Sequence, residues 1–429
     1  MRFIHLSDLH IGRQLHQYNL KEDQEHILGE VVEYAKMLRP DAIVIAGDVY
    51  DKSVPSAEAV GIFDCFLTEL SALKPEIPIL IISGNHDSAQ RLDYASGILG
   101  QKGIYIAGKL PQNREEFLKK VTLQDEYGEV DFYLLPFLKP GYVRTVFDGE
   151  MPESYSKAVQ MLLERELVDT TKRNVIVTHQ FYTGAGQKTE TCDSEIFSVG
   201  GIDNVDVTPL LRFDYAALGH LHSAQKVGRE SVRYPGTLLK YSVSECNQTK
   251  SLHLVTLKEK GAPVEVETYP LHPLRDVKKF RGTLKELLKT VPEEAKEDYV
   301  SITLTDETDP YRPKEQLEKV FSHILEVRMD NSRTRQKLMK DAEVVRMASP
   351  LEIFGDFFSG DAGKSAECRR AAGDEQDRRR DGGRIDEADQ IDDVCLWVLQ
   401  WSGENRFYRN TKRMFSDHGR YRRRKDNHL

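Results

Sequence analysis

Short apolar runs alternate with amphipathic stretches along residues 1–265. Five of these runs are typical of β-strands: RFIHLS, DAIVIA, IPILIIS, NVIVT and the shorter DYAAL. Between them, KEDQEHILGEVVEYAKML and SAEAVGIFDCFLTELSAL repeat apolar residues at helical spacing. This alternation predicts an α/β fold in which helices and sheets form layers, with chemistry at the carboxyl ends of strands.

From about residue 270 the elements become smaller. PLHPLRDVKKFRG predicts a strand, GTLKELLKTV a helix, DYVSITLTD a strand and KEQLEKVFSHILEVRMD a helix. Together they predict a small α+β domain over residues 270–346, attached by a proline-containing joint. A short amphipathic segment, SPLEIFGDFF, ends at Phe358.

The composition changes abruptly after Phe358. Residues 1–358 contain 18 Arg and 26 Lys, whereas residues 359–429 contain 13 Arg and 3 Lys and both tryptophans. The second segment has no sustained helical or strand period, which fits a disordered tail that binds nucleic acid. A frameshift near Phe358 is the other interpretation, and it is the one that we favour.

The codons that these residues permit support the frameshift. Read one nucleotide forward, Ser359–Arg384 can encode a Glu-rich helical segment, and Ile385–Glu387 can encode a stop and then a start. Ser416–Leu429 can then encode a phosphate-binding loop of the form GxxxxGK followed by Thr. Glu codons read out of frame readily become Arg codons, which accounts for the arginines. The coding DNA around Phe358 distinguishes a frameshift from a genuine tail.

Charge and composition set further bounds. The net charge of −9 gives no general attraction to nucleic acid, so a DNA-binding role needs bound metals, a local basic face or a partner. No apolar run approaches the roughly 18 residues of a membrane span, and the N-terminus enters a strand without a signal peptide. The five cysteines form no CxxC motif and are expected to be reduced thiols. We therefore expect a cytoplasmic protein.

Metal-binding side chains follow all five strand-like runs. Carboxylate, amide and imidazole donors in this number suffice for two divalent metals that share one carboxylate. Enzymes that hydrolyse phosphate esters use pairs of metal ions bound in this way. Each motif alone has a simpler explanation, because Gly-Asp after a strand is usually a turn and a lone histidine is usually packed. The ordered set favours a metal centre. In chain order its members are Asp8, His10, Asp48, Asn85, His179, His220 and His222.

Local geometry adds two expectations about these residues. Asp8 and His10 are two residues apart, and residues at this spacing on a strand point to the same side, so both can reach one ion if the strand end opens into the loop. The glycines that precede Asp48, Asn85 and His220 are expected to let the backbone turn sharply into the site.

The segments HLSDLHIGR, AGDVYDKSVPS, ISGNHDS and PGTLLKYSVSE resemble the calcineurin-like metallophosphoesterase superfamily, and in particular its DNA nuclease subunits. The resemblance covers about residues 1–358. It implies a β-sandwich flanked by helices over residues 1–265, with residues 270–346 as a capping domain that orients DNA. It also implies two manganese ions, one held by Asp8, His10, Asp48 and His222 and the other by Asp48, Asn85, His179 and His220.

The same resemblance assigns roles and partners. His86 takes the place of the acid that contacts the phosphate, while Asp51 lies where related nucleases carry His or Asp. The implied partner is a coiled-coil ATPase that binds helices beginning at residues 347–358, and a homodimer is implied as well. The shifted frame permits MRPIRLTMSAFG, which resembles the start of that ATPase. Because residues 359–429 replace the docking segment, we expect an intact site with weakened partner binding.

Three functions remain open. The first is a DNA nuclease with exonuclease action on double strands and endonuclease action on single strands or hairpins, active in DNA end processing, recombination and replication. The second is a small-molecule phosphomonoesterase or cyclic-nucleotide phosphodiesterase, since the metal set is shared across the superfamily. The third is a non-catalytic scaffold, which the complete set of donors and His86 disfavours.

Overall fold

The secondary structure is that of a computed structural model, which describes residues 1–184, 189–195 and 203–335. Its strands are β1 Arg2–Leu6, β2 Gln14–Leu15, β3 Tyr18–Asn19, β4 Ala42–Ala46, β5 Ile79–Ile82, β6 Ile104–Ala107, β7 Lys119–Asp125, β8 Gly128–Leu135, β9 Arg173–His179, β10 Phe181–Thr183, β11 Asn204–Asp206, β12 Tyr215–Gly219, β13 Gln225–Val227, β14 Arg229–Tyr234, β15 Ser251–Thr256, β16 Glu265–Pro270, β17 Val277–Gly282, β18 Tyr299–Leu304 and β19 His323–Met329. Its α-helices are α1 Lys21–Leu38, α2 Ala57–Ser71, α3 Ala89–Leu92, α4 Ser96–Gly100, α5 Tyr155–Arg165, α6 Leu284–Thr290 and α7 Pro313–Leu317.

Two six-stranded mixed sheets form the body of the fold. The first has the order β16-β15-β1-β4-β5-β6, and the second has the order β13-β14-β12-β9-β8-β7. Strands β1, β4 and β5 are parallel neighbours in the first sheet, and β9 and β12 are parallel neighbours in the second. The carboxyl ends of these five strands are the positions that the sequence assigns to the metal-binding residues.

Alternating side chains place one core between the sheets and two outside them. Phe3, Val44 and Leu80 of the first sheet pack with Phe132 and Val175 of the second in the central core. The other face of the first sheet packs with the apolar faces of α1 and α2, and the other face of the second packs with α5. The predicted β-sandwich flanked by helices is therefore confirmed.

The five strand-like runs and the two amphipathic stretches form the predicted elements. The runs become β1, β4, β5, β9 and β12, and the stretches become α1 and α2. Helix α2 begins where the Ser56 side chain accepts a hydrogen bond from the Ala59 backbone N–H at 3.1 Å. This is an N-cap, which satisfies a backbone donor that the helix itself leaves unpaired.

A separate three-stranded parallel sheet, β17-β18-β19, lies in the C-terminal part of the described chain. Helices α6 and α7 contribute Leu284, Leu287 and Leu317 to a core of its own. The helix predicted over KEQLEKVFSHILEVRMD is wrong in its second half, because residues 323–329 form strand β19 instead. Pairing with β18 buries Ile324 and Leu325 and outweighs the local helical spacing.

The small sheet contacts the body through buried polar groups as well as apolar ones. Asp23 of α1 accepts hydrogen bonds from the Arg275 guanidinium at 3.0 Å and from the Tyr299 hydroxyl at 2.9 Å. The Tyr18 hydroxyl donates to the Ile324 carbonyl at 3.3 Å. These contacts lie within one compact unit, Met1–Met339, and the second unit, Lys340–Leu429, falls outside the described residues.

The predicted partner-binding segment 347–358 and the predicted frameshifted tail 359–429 therefore lie outside the described residues. The boundaries proposed at 265, 270 and 346 stay predictions. Among the described helices, none is long and apolar enough to cross a membrane.

Two buried histidines between the sheets predict acid sensitivity. His5 of β1 and His253 of β15 are register partners, and burial is the main reason that the pKa of His253 falls to about 4. A histidine whose folded-state pKa lies below its unfolded value stabilises the fold above about pH 6.5 and loses that contribution as the pH falls.

We expect the free energy of unfolding to drop between pH 6.5 and pH 4, with ~3 kcal/mol of the drop due to His253. Urea unfolding of the wild type and of His253→Leu in EDTA measures this contribution. The variant is expected to have the shallower pH dependence. Equal slopes for the two proteins would contradict the assignment.

Candidate metal centre

Loops at one edge of the β-sandwich bring the eight predicted site residues together. Asp8 and His10 follow β1, Asp48 follows β4, and Asn85 and His86 follow β5. His179 ends β9, while His220 and His222 follow β12. Short contacts join all eight into one cluster, so the structure separates none of the predicted residues from the others.

The backbone of this cluster is strained at four positions. Asp8, His10, Asp48 and His220 have φ of 53°, 45°, 48° and 112°, which is the left-handed region that side chains rarely adopt. Strand β1 ends at Leu6, so Asp8 and His10 lie in the loop into which the strand opens. Their side chains converge because of the loop conformation.

Gly84 and Gly219 are required for space. A Cβ atom on Gly84 would lie 2.1 Å from Oδ1 of Asp48, and one on Gly219 would lie 1.9 Å from the Ala46 carbonyl oxygen. Both distances are far below contact distance, so any larger residue would displace the loops. The third glycine of the predicted set, Gly47 before Asp48, has a positive φ of 89°, whereas Gly84 and Gly219 do not. The sequence argument from backbone turning therefore holds for Gly47, while close approach explains the other two.

One group of donors surrounds Asn85. The Asn85 Oδ1 atom lies 3.0 Å from Nε2 of His179 and 3.0 Å from Nδ1 of His220. Nε2 of His179 also lies 3.4 Å from Oδ2 of Asp48. The His179 Nδ1–H donates to the Ala46 carbonyl at 2.7 Å, which leaves Nε2 as the nitrogen that faces the other donors.

A second group of donors shares Asp48 with the first. Nε2 of His10 lies 3.1 Å from Nε2 of His222 and 3.7 Å from Oδ2 of Asp48. Asp8, His10 and His222 offer ligand atoms that all lie within 4.8 Å of one another, as do Asp8, Asp48 and His179. Asp8, which the family resemblance places with His10 and His222, also lies 3.9 Å from Nε2 of His179. The division of the donors into two ligand sets that share Asp48 stays a prediction.

Electrostatics shows why this cluster suits a cation. Asp8 is fully buried, and burial followed by the Asp48 charge raises its pKa to about 7 although His179 opposes the rise. Burial opposes ionisation of Asp48 as well, yet the charges of His179 and His10 hold its pKa below the usual range. Two adjacent buried carboxylates are costly without compensation, and divalent cations supply it.

The protonation states of the four imidazoles also suit a metal site. Burial lowers the pKa of His220 to about 3 and holds the pKa values of His10 and His222 well below the ordinary value. In His179, burial acts in the same direction, but Asp48 outweighs it and raises the pKa to about 9. Neutral imidazole is the metal-ligating form, and a ligand that carries a proton must release it on binding. The donors present therefore fit divalent metal ions.

His86 lies on the more open side of the cluster. Its backbone N–H donates to Oδ1 of Asp48 at 2.8 Å, and its Nδ1–H donates to the Asp51 carbonyl at 2.8 Å. The ring stands perpendicular to that of His10, with centroids 4.8 Å apart. His86 is half-buried, whereas His10 is fully buried. Asp51 itself accepts a hydrogen bond from Arg13 at 3.0 Å.

Three residues behind His222 are absent from the sequence-based prediction. Nδ1 of His222 lies 2.7 Å from the Ser194 hydroxyl, which donates to Oε1 of Glu245 at 2.6 Å. Oε2 of Glu245 pairs with the Lys250 ammonium at 2.7 Å, and Lys250 also donates to the His222 carbonyl at 2.8 Å. Glu245 ends the PGTLLKYSVSE motif, which was a usable signal, whereas nothing in the sequence marks Ser194.

This chain of hydrogen bonds fixes the tautomer of His222. Because the Ser194 hydroxyl donates to Glu245, it accepts from Nδ1–H of His222, and Nε2 keeps its lone pair for a metal. Partners of this kind typically change metal affinity by about 10–100-fold when they are removed.

We expect Ser194→Ala and Glu245→Gln to weaken divalent-metal binding by at least about tenfold. Calorimetric titration of the metal-free proteins with Mn²⁺ measures this loss, and thermal melts check folding. Ser71→Ala, at an exposed hydroxyl on α2, is the control and should bind as the wild type does. Wild-type affinity in Ser194→Ala would contradict the role of the hydrogen-bond chain.

Comparisons with known proteins show the family to which this chain belongs. The family described as "Calcineurin-like phosphoesterase" matches residues 1–224, and the one described as "Type 5 capsule protein repressor C-terminal domain" matches residues 270–361. The SbcD subunit of the nuclease SbcCD from Staphylococcus epidermidis is 32% identical over 329 residues, which are 76% of this chain and 84% of that protein. Its counterpart of the same name from Staphylococcus saprophyticus is 32% identical over 328 residues, which are 76% of this chain and 84% of that protein.

Among solved structures, the Plasmodium protein described as "GAP50 the anchor in the inner membrane complex" is 13% identical, with a TM-score of 0.36 over 78% of this chain and 98% of that one. That similarity is too low to carry an argument. The sequence relatives are close enough and long enough to define the family. The chain belongs to the calcineurin-like phosphoesterase family, and within it to the group of SbcD nuclease subunits.

Proposed function

We propose that this chain is the metal-dependent DNA nuclease subunit of an SbcCD-type complex. The proposal includes exonuclease action on double strands, endonuclease action on single strands or hairpins, and a role in DNA end processing, recombination and replication. The observation that carries it is the buried cluster in which two donor groups share Asp48. The names of the two Staphylococcus relatives support a nuclease, and with it DNA as the substrate class.

We assign the residues that would hold two metals, with Mn²⁺ as the proposed ion. Asp8, His10, Asp48 and His222 would hold one, and Asp48, Asn85, His179 and His220 would hold the other. When bound, such ions supply Lewis acidity toward the phosphate and lower the pKa of water.

The chain's own residues perform the remaining tasks. The Ala46 carbonyl and the Ser194–Glu245 pair fix the ring orientations of His179 and His222, so their nitrogen donors are aligned before substrate arrives. His86, whose Nδ1–H is already used by the Asp51 carbonyl, presents Nε2 as its remaining position. From there it would stabilise a non-bridging phosphate oxygen or protonate the leaving 3′ oxygen.

A small-molecule phosphomonoesterase or cyclic-nucleotide phosphodiesterase would use the same donors. The DNA nuclease is favoured because the relatives carry that name and because a second family domain matches residues 270–361. We propose that residues 270–346 act as the capping domain that orients DNA. Turnover of hairpin DNA beside turnover of a small phosphate ester separates the two functions.

The proposed partners are DNA, an SbcC-type coiled-coil ATPase and a second copy of this chain. The relatives are named as one subunit of a complex, which supports the ATPase. The segment expected to bind it begins within residues 347–358, and the altered sequence of residues 359–429 supports weakened binding. The frameshift near Phe358 stays part of the proposal.

We expect His86→Ala to keep its metals and to lose most of its turnover, at least about 100-fold, because a positioned acid typically contributes that much. Manganese titration and cleavage of a labelled hairpin DNA measure the two properties. His272→Ala, at an exposed histidine remote in the chain, serves as the control. Normal DNA cleavage by His86→Ala would show that the assignment is wrong.

A further inference from the structure

A cavity of about 500 Å³ adjoins the metal cluster at Asn85. Its volume lies in the range of about 300–1,000 Å³ that is usual for small-ligand sites. The proposed metal chemistry does not use this cavity. It is bounded by segments that follow β4, β5, β6 and β8 at the same edge of the sandwich as the cluster, with Ser53 as the one lining residue after β4.

Hydrogen bonds between the loops hold the cavity open as part of the fold. The Phe137 backbone N–H donates to the Ser83 carbonyl at 2.9 Å, and the Ser83 hydroxyl donates to the Gly108 carbonyl at 2.8 Å. The Gln180 side chain donates to the Leu138 carbonyl at 3.1 Å. The loops are therefore tied to each other and to the residue that follows His179.

The charge of the lining favours an anion. Lys109 and Lys139 line the cavity. Lys109 pairs with Asp93 at 3.0 Å, whereas Lys139 is exposed and pairs with no described side chain, so Lys139 is the available cation. Asp87 is the one carboxylate among the described lining residues, and backbone N–H groups of Val49, Tyr50 and Gly84 donate to it at 2.9–3.1 Å. The accessible charge is thus positive, in a chain whose net charge is −9.

Two aromatic rings complete the lining. Phe137 and Tyr142 both line this cavity, and Tyr142 is 54% exposed, which is high for a large aromatic residue. Exposed aromatics beside lysines are the combination by which proteins hold single-stranded nucleic acid, since bases stack on the rings and phosphates pair with the cations.

The cavity lies directly beside the metal-binding cluster. Asn85 lines the cavity and also contacts both His179 and His220. The Phe137 ring lies with its centroid 6.4 Å from that of His179. A strand with one phosphate at the metal cluster would therefore place an adjacent nucleotide in the cavity.

We propose that this cavity binds a nucleotide of a single DNA strand next to the scissile phosphate, with Tyr142 stacking on the base and Lys139 pairing with a backbone phosphate. The proposal rests on the proposed nuclease function. It predicts that the strand must be unpaired at this point, because a base within a duplex cannot stack on a protein side chain.

The experiment uses the full chain with Tyr142→Ala, Lys139→Ala and the double variant. The controls are Tyr127→Ala and Lys102→Ala, since those residues lie at the opposite ends of β8 and β6 from the cavity loops. Hairpin cleavage gives kcat/KM, and fluorescence anisotropy gives affinity for a labelled single strand. Bis(p-nitrophenyl) phosphate, which has neither a base nor a second phosphate, reports the metal centre.

We expect the double variant to lose at least about tenfold in single-strand affinity and in kcat/KM on the hairpin, with small-diester turnover unchanged. Lys139→Ala alone should reduce the slope of log affinity against log salt by about 0.7, and Tyr142→Ala should leave that slope unchanged.

Each other outcome overturns the proposal in a recognisable way. Wild-type DNA affinity in the double variant would leave the nuclease function standing and reject the subsite. Equal losses on DNA and on the small diester would show that the loops only support the metal cluster. A wild type that hydrolyses the diester but neither binds nor cuts DNA would reject the nuclease function and the subsite with it.

Discussion

Burial of two carboxylates, Asp8 and Asp48, at one edge of a β-sandwich is the constraint on which the site depends. Each is fully or almost fully buried, and neither has an Arg or Lys partner among the described residues. Their charge is balanced instead by imidazoles such as His179 of the opposite sheet. The arrangement is costly without cations, so the fold must hold it in place by other means.

The backbone conformation of the loops holds the two buried carboxylates in place. Left-handed conformations at four site residues and two glycines without room for a Cβ bring loops from both sheets into contact. The packed core between the sheets fixes the five strand ends, and that rigidity resists the local strain. The hydrogen-bond chain of Ser194, Glu245 and Lys250 then fixes the orientation of the His222 imidazole through its Nδ1 atom. Stability and donor alignment thus come from the same packing.

The sequence was sufficient to predict the strands and helices whose apolar residues recur at a regular spacing. The buried strands before Asp48 and Asn85 are continuous apolar runs, and a donor directly after a strand end is a strong local signal. It was insufficient where tertiary pairing decides, as in β19, whose residues also have helical spacing. Ser194 could not be found because its role exists only through contacts with His222 and Glu245, far away in the chain. The cavity beside Asn85 arises from four separate segments of the chain and has no sequence signature either.

The central claim is that Asp48 joins two metal sites, and metal stoichiometry tests it most directly. Calorimetric titration with Mn²⁺, supported by elemental analysis after dialysis, should give two ions per wild-type chain. Asp48→Ala should lose tight binding at both sites, whereas Asn85→Ala should lose it at one. A single ion in the wild type, or two tightly bound ions in a folded Asp48→Ala protein, would contradict the account.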